Sequence, residues 1–209
     1  LSSINHHVFV DKTLTMKEML SALRDNFDGH QRIHQLVLNR TPRYGNDDNR
    51  ADEIMKEAFE AFRKEVEGRQ NTKGGVYRID MLPTTCHVYF GSVIGATPDG
   101  RKSAQPLSEG ISPVQGADRQ GPTAVIKSAS KMDHLKTGGT LLNMKFSPQV
   151  LDNDEGLEKL VHLIRTYFRM DGHHIQFNVI DADTLRAAKQ NPDQYRDLIV
   201  RVAGYSDYF

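Results

Sequence analysis

The sequence predicts an α/β chain with a helical first part, on three observations. Apolar residues recur three or four apart through the first third, short β-branched and aromatic runs begin after residue 74, and helical and strand patterns alternate from residue 123 onward. Strands alternating with helices imply right-handed crossovers, and hence a parallel sheet or barrel.

The elements follow in chain order. Thr15-Met16-Lys17-Glu18 fits a capping box, with the Thr15 hydroxyl accepting from the Glu18 N–H and Leu14 paired with Met19 as a hydrophobic staple. A helix then runs to about residue 39 on Met16, Met19, Leu20, Leu23, Phe27, Ile33, Leu36 and Val37, with Asp28-Gly29 as a candidate break into two helices. Residues 41–49 read as a polar turn. Ile54, Phe59 and Phe62 mark a further helix ending near Gly68. Residues 76–81 and 84–91, separated by Pro83, read as two strands. Residues 95–121 are rich in Gly, Pro and Ser, and a loop of that length is expected to wrap a site or another part of the fold. Beyond it come helix 123–132, strand 140–146, helix 155–170, strand 174–180, helix 184–190 and strand 198–202. These divide the chain into a mainly helical part (1–75), an α/β part (76–197) and a terminal loop (198–209).

Composition removes several functional classes. With 27 Lys and Arg against 27 Asp and Glu, nothing suggests an electrostatic grip on nucleic acid or anionic lipid. No window approaches the roughly 20 apolar residues of a membrane span and no signal sequence opens the chain, so a cytoplasmic location is expected. Leu1 is not a methionine and Phe209 falls inside a loop-like stretch, so a part of a longer protein is expected.

The familiar catalytic signatures are mostly absent: no G-x-S-x-G elbow, Walker loop, G-x-G-x-x-G after a strand or H-E-x-x-H occurs. Gly138-Gly139-Thr140 has the composition of a phosphate cradle, but its place before a strand favours a structural turn. Adjacent histidines on strands, His6-His7 and His173-His174, point to opposite faces, so no bound metal is expected. The one cysteine, Cys86, reads as a small buried hydrophobe in an apolar strand. Polar residues interrupt the runs 141–146 and 175–180 at Asn143, Lys145, Gln176 and Asn178. They face either a site inside a barrel or solvent.

The last nine residues, Arg201-Val202-Ala203-Gly204-Tyr205-Ser206-Asp207-Tyr208-Phe209, resemble the signature of the glycyl radical enzymes, the pyruvate formate-lyase-like superfamily, with Gly204 on the radical glycine. Tyr44-Gly45-Asn46-Asp47, Gly95-Ala96-Thr97-Pro98-Asp99-Gly100-Arg101 and Pro106-Leu107-Ser108-Glu109-Gly110 are similar to further blocks of the family in the same order. The runs 77–89 and 170–179 resemble its dehydratase and eliminating-lyase branch. Hydroxyproline dehydratases come first in that likeness, then choline trimethylamine-lyases, with glycerol dehydratases and pyruvate formate-lyases further off.

The resemblance implies the C-terminal part of a ten-stranded α/β barrel in which a glycine loop meets a cysteine loop. It implies a radical on Gly204, installed by an S-adenosylmethionine/iron-sulfur activating enzyme, with Arg201, Val202, Tyr205 and Ser206 supporting the loop. The expected reaction is elimination of water or an amine from a small polar substrate. The complete enzyme is expected as a homodimer, with its N-terminal half outside this sequence. Cys86, followed by His87-Val88, lacks the family's Gly-Cys setting, so the thiyl cysteine is expected elsewhere. Thr84 and Thr85, beside Pro83, are candidates to line the substrate cavity. Two other readings stay open: a stand-alone radical-domain spare part, and an inert fragment.

Glycine suits such a radical physically. The unpaired electron is stabilised when the α-carbon flattens between a donor nitrogen and an acceptor carbonyl, and a side chain crowds that geometry.

Overall fold

The structure, a computed structural model, describes residues 1–82 and 86–198. The chain opens with a helical turn, α1 (Ser2–Ile4), that widens into a π-helical turn over Asn5–Val10. His6 and His7 therefore lie on a helix rather than a strand. Buried His7 bonds the hydroxyls of Thr13 and Thr41, each at 3.0 Å, which holds this turn against the segment after residue 40.

The capping box at Thr15 forms as expected. The Glu18 N–H donates to Thr15 Oγ1 at 3.2 Å and the Thr15 N–H donates to Glu18 Oε2 at 2.7 Å, starting α2 (Met16–Arg24). Such a cap stabilises a helix by about 1 kcal/mol. The break before α3 (Gln31–Arg40) begins earlier than Asp28-Gly29, at Asn26 and Phe27, whose φ angles are 52° and 62°. Burial of the Phe27 ring, stacked on His34 at 4.5 Å, offsets that left-handed backbone. Leu14, Met19, Ala22, Phe27 and Val37 form one apolar cluster. Next, α4 (Asn49–Val66) starts where Asp48 accepts from the Arg50 N–H, and it sends Phe59 into a second cluster.

Two expected strands are corrected. Residues 76–81 make only isolated bridges, Gln70 with Val76 and Met81 with Thr140. Residues 86–91 are helical, within α5 (Cys86–Val93), and Cys86 is exposed rather than buried. β propensity reflects packing on a pleated face, and tertiary contacts override it here. Gly91 packs so closely on the loop that a Cβ would lie 2.4 Å from the Gln105 carbonyl oxygen. The Arg101 guanidinium meets the end of the helix, donating to the carbonyls of Gly91 (3.3 Å), Ile94 (3.2 Å), Lys102 (3.1 Å), Gln105 (2.6 Å) and Gly95. A cation at the C-terminal carbonyls is the favourable polarity for a helix end.

The second half is built around two parallel strands, β1 (Leu141–Phe146) and β2 (His174–Val179), joined through α7 (Asp154–Arg169). α6 (Pro122–Ala129) precedes β1, and α8 (Ala182–Gln190), capped by Asp181, follows β2. Leu142, Met144, Ile175 and Phe177 alternate onto one sheet face, where Val125, Ile126, Ala129 and Tyr167 pack against them. Tyr167 is wholly buried, and the Gly172 turn passes so near that a Cβ there would sit 2.3 Å from its ring. β1 is buried through residues 141–144, whereas β2 is mostly half-buried. The residues 199–202 of the expected last strand lie outside the described residues.

Candidate functional site

The sheet face turned away from α6 and α7 carries Asn143 and Lys145 on β1 and Gln176 and Asn178 on β2, with Asn143 opposite Gln176 and Lys145 opposite Asn178 in register. Asn143 and Asn178 are buried, whereas Lys145 is exposed and donates to Gln115 Oε1 at 2.9 Å. Of the two readings of these polar interruptions, burial favours the inward one at Asn143 and Asn178, and solvent takes Lys145.

The loop 107–112 borders this face. The Ile111 N–H donates to the Leu141 carbonyl at 2.9 Å, Ser112 Oγ accepts from the Asn143 N–H at 2.8 Å, and the Tyr44 hydroxyl donates to the Ile111 carbonyl at 2.7 Å. Burial pushes the Tyr44 phenol well above its ordinary value, so it stays a donor. Gly110, at φ +55°, comes so close to β1 that a Cβ would lie 2.3 Å from the Leu141 carbonyl oxygen. Beneath the loop, Glu109 lies 3.5 Å from His87 Nε2, both side chains only 10% exposed, and the Leu107 N–H donates to the His87 carbonyl at 3.0 Å. The start of α5 is thereby pinned to the cleft.

That cleft holds about 390 Å³, and Glu109, Ser112, Asn143 and Lys145 are among its lining residues. Its chemistry is that of hydrogen bonding more than of bond making. Among the described residues, both polar atoms of the Asn143 amide and the Gln176 Oε1 are buried without a partner. Each such group costs about 1–3 kcal/mol until something meets it.

Sequence reasoning placed its strongest candidates elsewhere. Arg201, Val202, Gly204, Tyr205 and Ser206 of the expected radical loop, and Thr84 and Thr85 of the expected cavity, all lie outside the described residues. The His87–Glu109 pair, Ser112 and Arg101 were not singled out. Glu109 and Arg101 belong to the family-like runs 106–110 and 95–101, but a linear reading does not show which residues of those runs meet. The Gly138-Gly139 pair serves packing: the Gly138 N–H donates to the Ile79 carbonyl at 2.9 Å, and a Cβ at Gly139 would lie 2.6 Å from Leu82. Among the described residues no group of three or more His, Cys, Asp or Glu is placed to hold a metal ion. No described helix is long and apolar enough to cross a membrane.

Comparison with known proteins places this geometry. Residues 107–209 match the family model described as Glycine radical, and residues 1–91 match Pyruvate formate lyase-like. The chain is 58% identical over 209 residues to trans-4-hydroxy-L-proline dehydratase of Clostridioides difficile, covering 100% of this chain and 26% of that protein. The crystal structure of that organism's hydroxyproline dehydratase with substrate bound superposes with a TM-score of 0.95 at 58% identity, over 98% of this chain and 26% of its own. The B12-independent glycerol dehydratase from Clostridium butyricum, in its glycerol-bound form, superposes with a TM-score of 0.90 at 45% identity, over 98% of this chain and 26% of its own. The chain thus spans about a quarter of the length of these relatives. Two successive family models, and a fold shared across nearly every residue, show that the chain belongs to the glycyl radical enzymes.

Proposed function

We propose that this chain is the radical-bearing part of a glycyl radical dehydratase that eliminates water from a small hydroxylated substrate, with 4-hydroxyproline the leading candidate. The observation that carries the reading is 58% identity over all 209 residues to a hydroxyproline dehydratase. Elimination of an amine is the alternative within the same chemistry. The likeness of residues 1–91 to the pyruvate formate lyase-like model speaks against a stand-alone spare part, which needs little beyond the radical loop.

Gly204 is the radical carrier. A partner enzyme using S-adenosylmethionine and an iron–sulfur cluster removes one hydrogen atom from its α-carbon, and the radical is then passed to a cysteine outside this sequence. That thiyl group takes a hydrogen atom from the substrate, water departs, and the hydrogen atom returns. Arg201, Val202, Tyr205 and Ser206 hold the glycine in place. Thr84 or Thr85 supplies a hydroxyl to the substrate or its departing water.

The test is anaerobic activation of the full-length protein followed by electron paramagnetic resonance. A doublet that is absent in Gly204→Ala is expected, and an unchanged doublet in that variant would sink the assignment. Air exposure of activated protein should cut the chain so that its first product ends near Ala203. Valine at Thr84 and at Thr85 separately should lower kcat/KM in one of the two; no change in either removes the cavity role.

A further inference from the structure

Positive charge gathers in one cleft of a chain whose 27 Lys and Arg balance 27 Asp and Glu. The cleft, of about 290 Å³, lies between the end of α3, the start of α4 and the loop 117–120, and it is lined by four arginines, Arg40, Arg43, Arg50 and Arg119, against one carboxylate, Asp48. Arg50 already engages that carboxylate, with Nε at 3.0 Å and Nη2 at 2.7 Å, and its N–H donates to it where α4 begins. The side chains of Arg40 and Arg119 make no hydrogen bond or ion pair among the described residues. Arg43 is fixed in place: its Nη2 donates to the carbonyls of Val37 (3.1 Å) and Asp99 (2.6 Å), and its Nε is buried with no partner among the described residues. Burial holds its guanidinium below the ordinary arginine value; Asp99 opposes that shift and the charge of Arg119 adds to it. Asn46 builds the cleft in advance. Its Nδ2 donates to the carbonyls of Arg43 (3.1 Å) and Ala117 (2.8 Å), and its Oδ1 accepts from the N–H groups of Arg119 (2.7 Å) and Gln120 (3.2 Å).

We propose that this cleft binds a small oxyanion of two or more charges, phosphate or pyrophosphate in character. Like charges held at fixed positions are relieved most directly by an anion between them. A guanidinium is a planar fork that takes two oxygens at once, so Arg40, Arg43 and Arg119 together call for more acceptor oxygens than a single carboxylate offers. Among the described residues no aromatic ring lines the cleft, so a nucleoside would have nothing to stack on. The loop gives such an anion a consequence. Gly116, Asp118 and Gly121 line the 390 Å³ cleft beside β1, whereas Ala117, Arg119 and Gln120 line this one, so residues 116–121 are a wall common to both. An oxyanion that bridges Arg43 and Arg119 stiffens that wall. The inference does not depend on the Gly204 reading.

Calorimetric titration of the full-length, unactivated protein with sodium pyrophosphate at low ionic strength tests this. We expect one saturable site per chain, weakened about tenfold in Arg40→Gln and in Arg119→Gln, neither of which gives up a described side-chain bond. Lys64→Gln, which removes a cation about 20 Å farther along α4, should leave the affinity unaltered. ADP should bind no more tightly than pyrophosphate, and hydrogen exchange over residues 116–121 should slow when pyrophosphate is bound. Absence of saturable binding overturns the proposal. So does full affinity in both Arg40→Gln and Arg119→Gln, or a loss in Lys64→Gln as large as theirs, which would make the binding a general response to charge. Tighter binding of ADP would assign the cleft to a nucleotide, and protection that arises elsewhere while 116–121 is unchanged would assign the anion to another site; either result overturns it too. If Arg119→Gln fails to fold, Arg40→Gln, at an exposed position, decides the matter alone.

Discussion

The two faces of the β1–β2 pair are made of alternate residues of the same strands, yet they are in different states of completion. On one, Leu142, Met144, Ile175 and Phe177 meet Val125, Ile126 and Tyr167 in a closed apolar cluster. On the other, Asn143 and Gln176 carry buried amide atoms with no partner among the described residues. The difference teaches that the two sides of one sheet ask for different kinds of partner. An apolar face can be satisfied by any well-shaped apolar neighbour, whereas a buried amide is satisfied only by a partner with matching donors and acceptors.

Substitutions on the two faces should therefore diverge. Leu142→Ala, at a wholly buried position, is expected to lower the protection of the β1 amides in the full-length protein by about 2–5 kcal/mol. A loss under about 1 kcal/mol would mean that the apolar face is less tightly closed than it looks.

Lys131→Met comes next. Lys131 Nζ lies 2.7 Å from Asp52 Oδ2, and Asp52 is wholly buried with the Ser128 hydroxyl as its other donor, at 2.9 Å. Removing the cation strands a buried carboxylate, so a loss of about 2–4 kcal/mol is expected, partly restored by Asp52→Asn in the same chain. Failure of that second change to restore anything would remove the charge argument.

A smaller effect concerns pH. Burial, and then the neighbouring His173, hold the His134 imidazole below its ordinary value of 6.5, and Thr140 Oγ1 bonds its Nδ1 at 2.8 Å. The folded chain therefore favours neutral His134. Its contribution is fully present above pH 6.5 and is lost as pH falls from there toward the lower folded value. Burial lowers His7 in the same direction. His134→Gln should flatten, without abolishing, the acid-side loss of stability in a denaturation series from about pH 7 to pH 5. An unaltered slope would refute the assignment to His134.

Lys145→Ala, on the polar face but exposed, should change stability by no more than about 0.5 kcal/mol. A cost matching that of Leu142→Ala would erase the contrast between the faces.

How much of this was legible follows from which interactions are local. The box at Thr15, the strands 141–146 and 174–179 and the helix between them are written in neighbouring residues, and they appear within a residue or two of their expected limits. Helix α5 was misread because its β-branched and aromatic residues imitate a strand. Its C-terminal carbonyls are met by the Arg101 side chain, a contact that residue alternation does not reveal. The polar residues of β1 and β2 stood out in the sequence, but alternation tells only that two faces differ. The helices that cover one of them decide which is which. The proposed radical loop at 201–206 rests on a resemblance, through a motif rather than through any physical pattern, and lies outside the described residues.

The Arg101 side chain has a consequence for how this protein can change over time. One guanidinium bolts the end of α5 to the loop over residues 94–105, so that stretch behaves as a machined part with a fixed length. Farther along the same loop, a Cβ at Gly116 or Gly121 would meet nothing within 4 Å among the described residues, although the positive φ at both favours glycine itself. Inserted residues should thus be purged from 94–105. Lysine at position 101, with a single ammonium in place of a planar fork, should be nearly as poorly inherited as alanine.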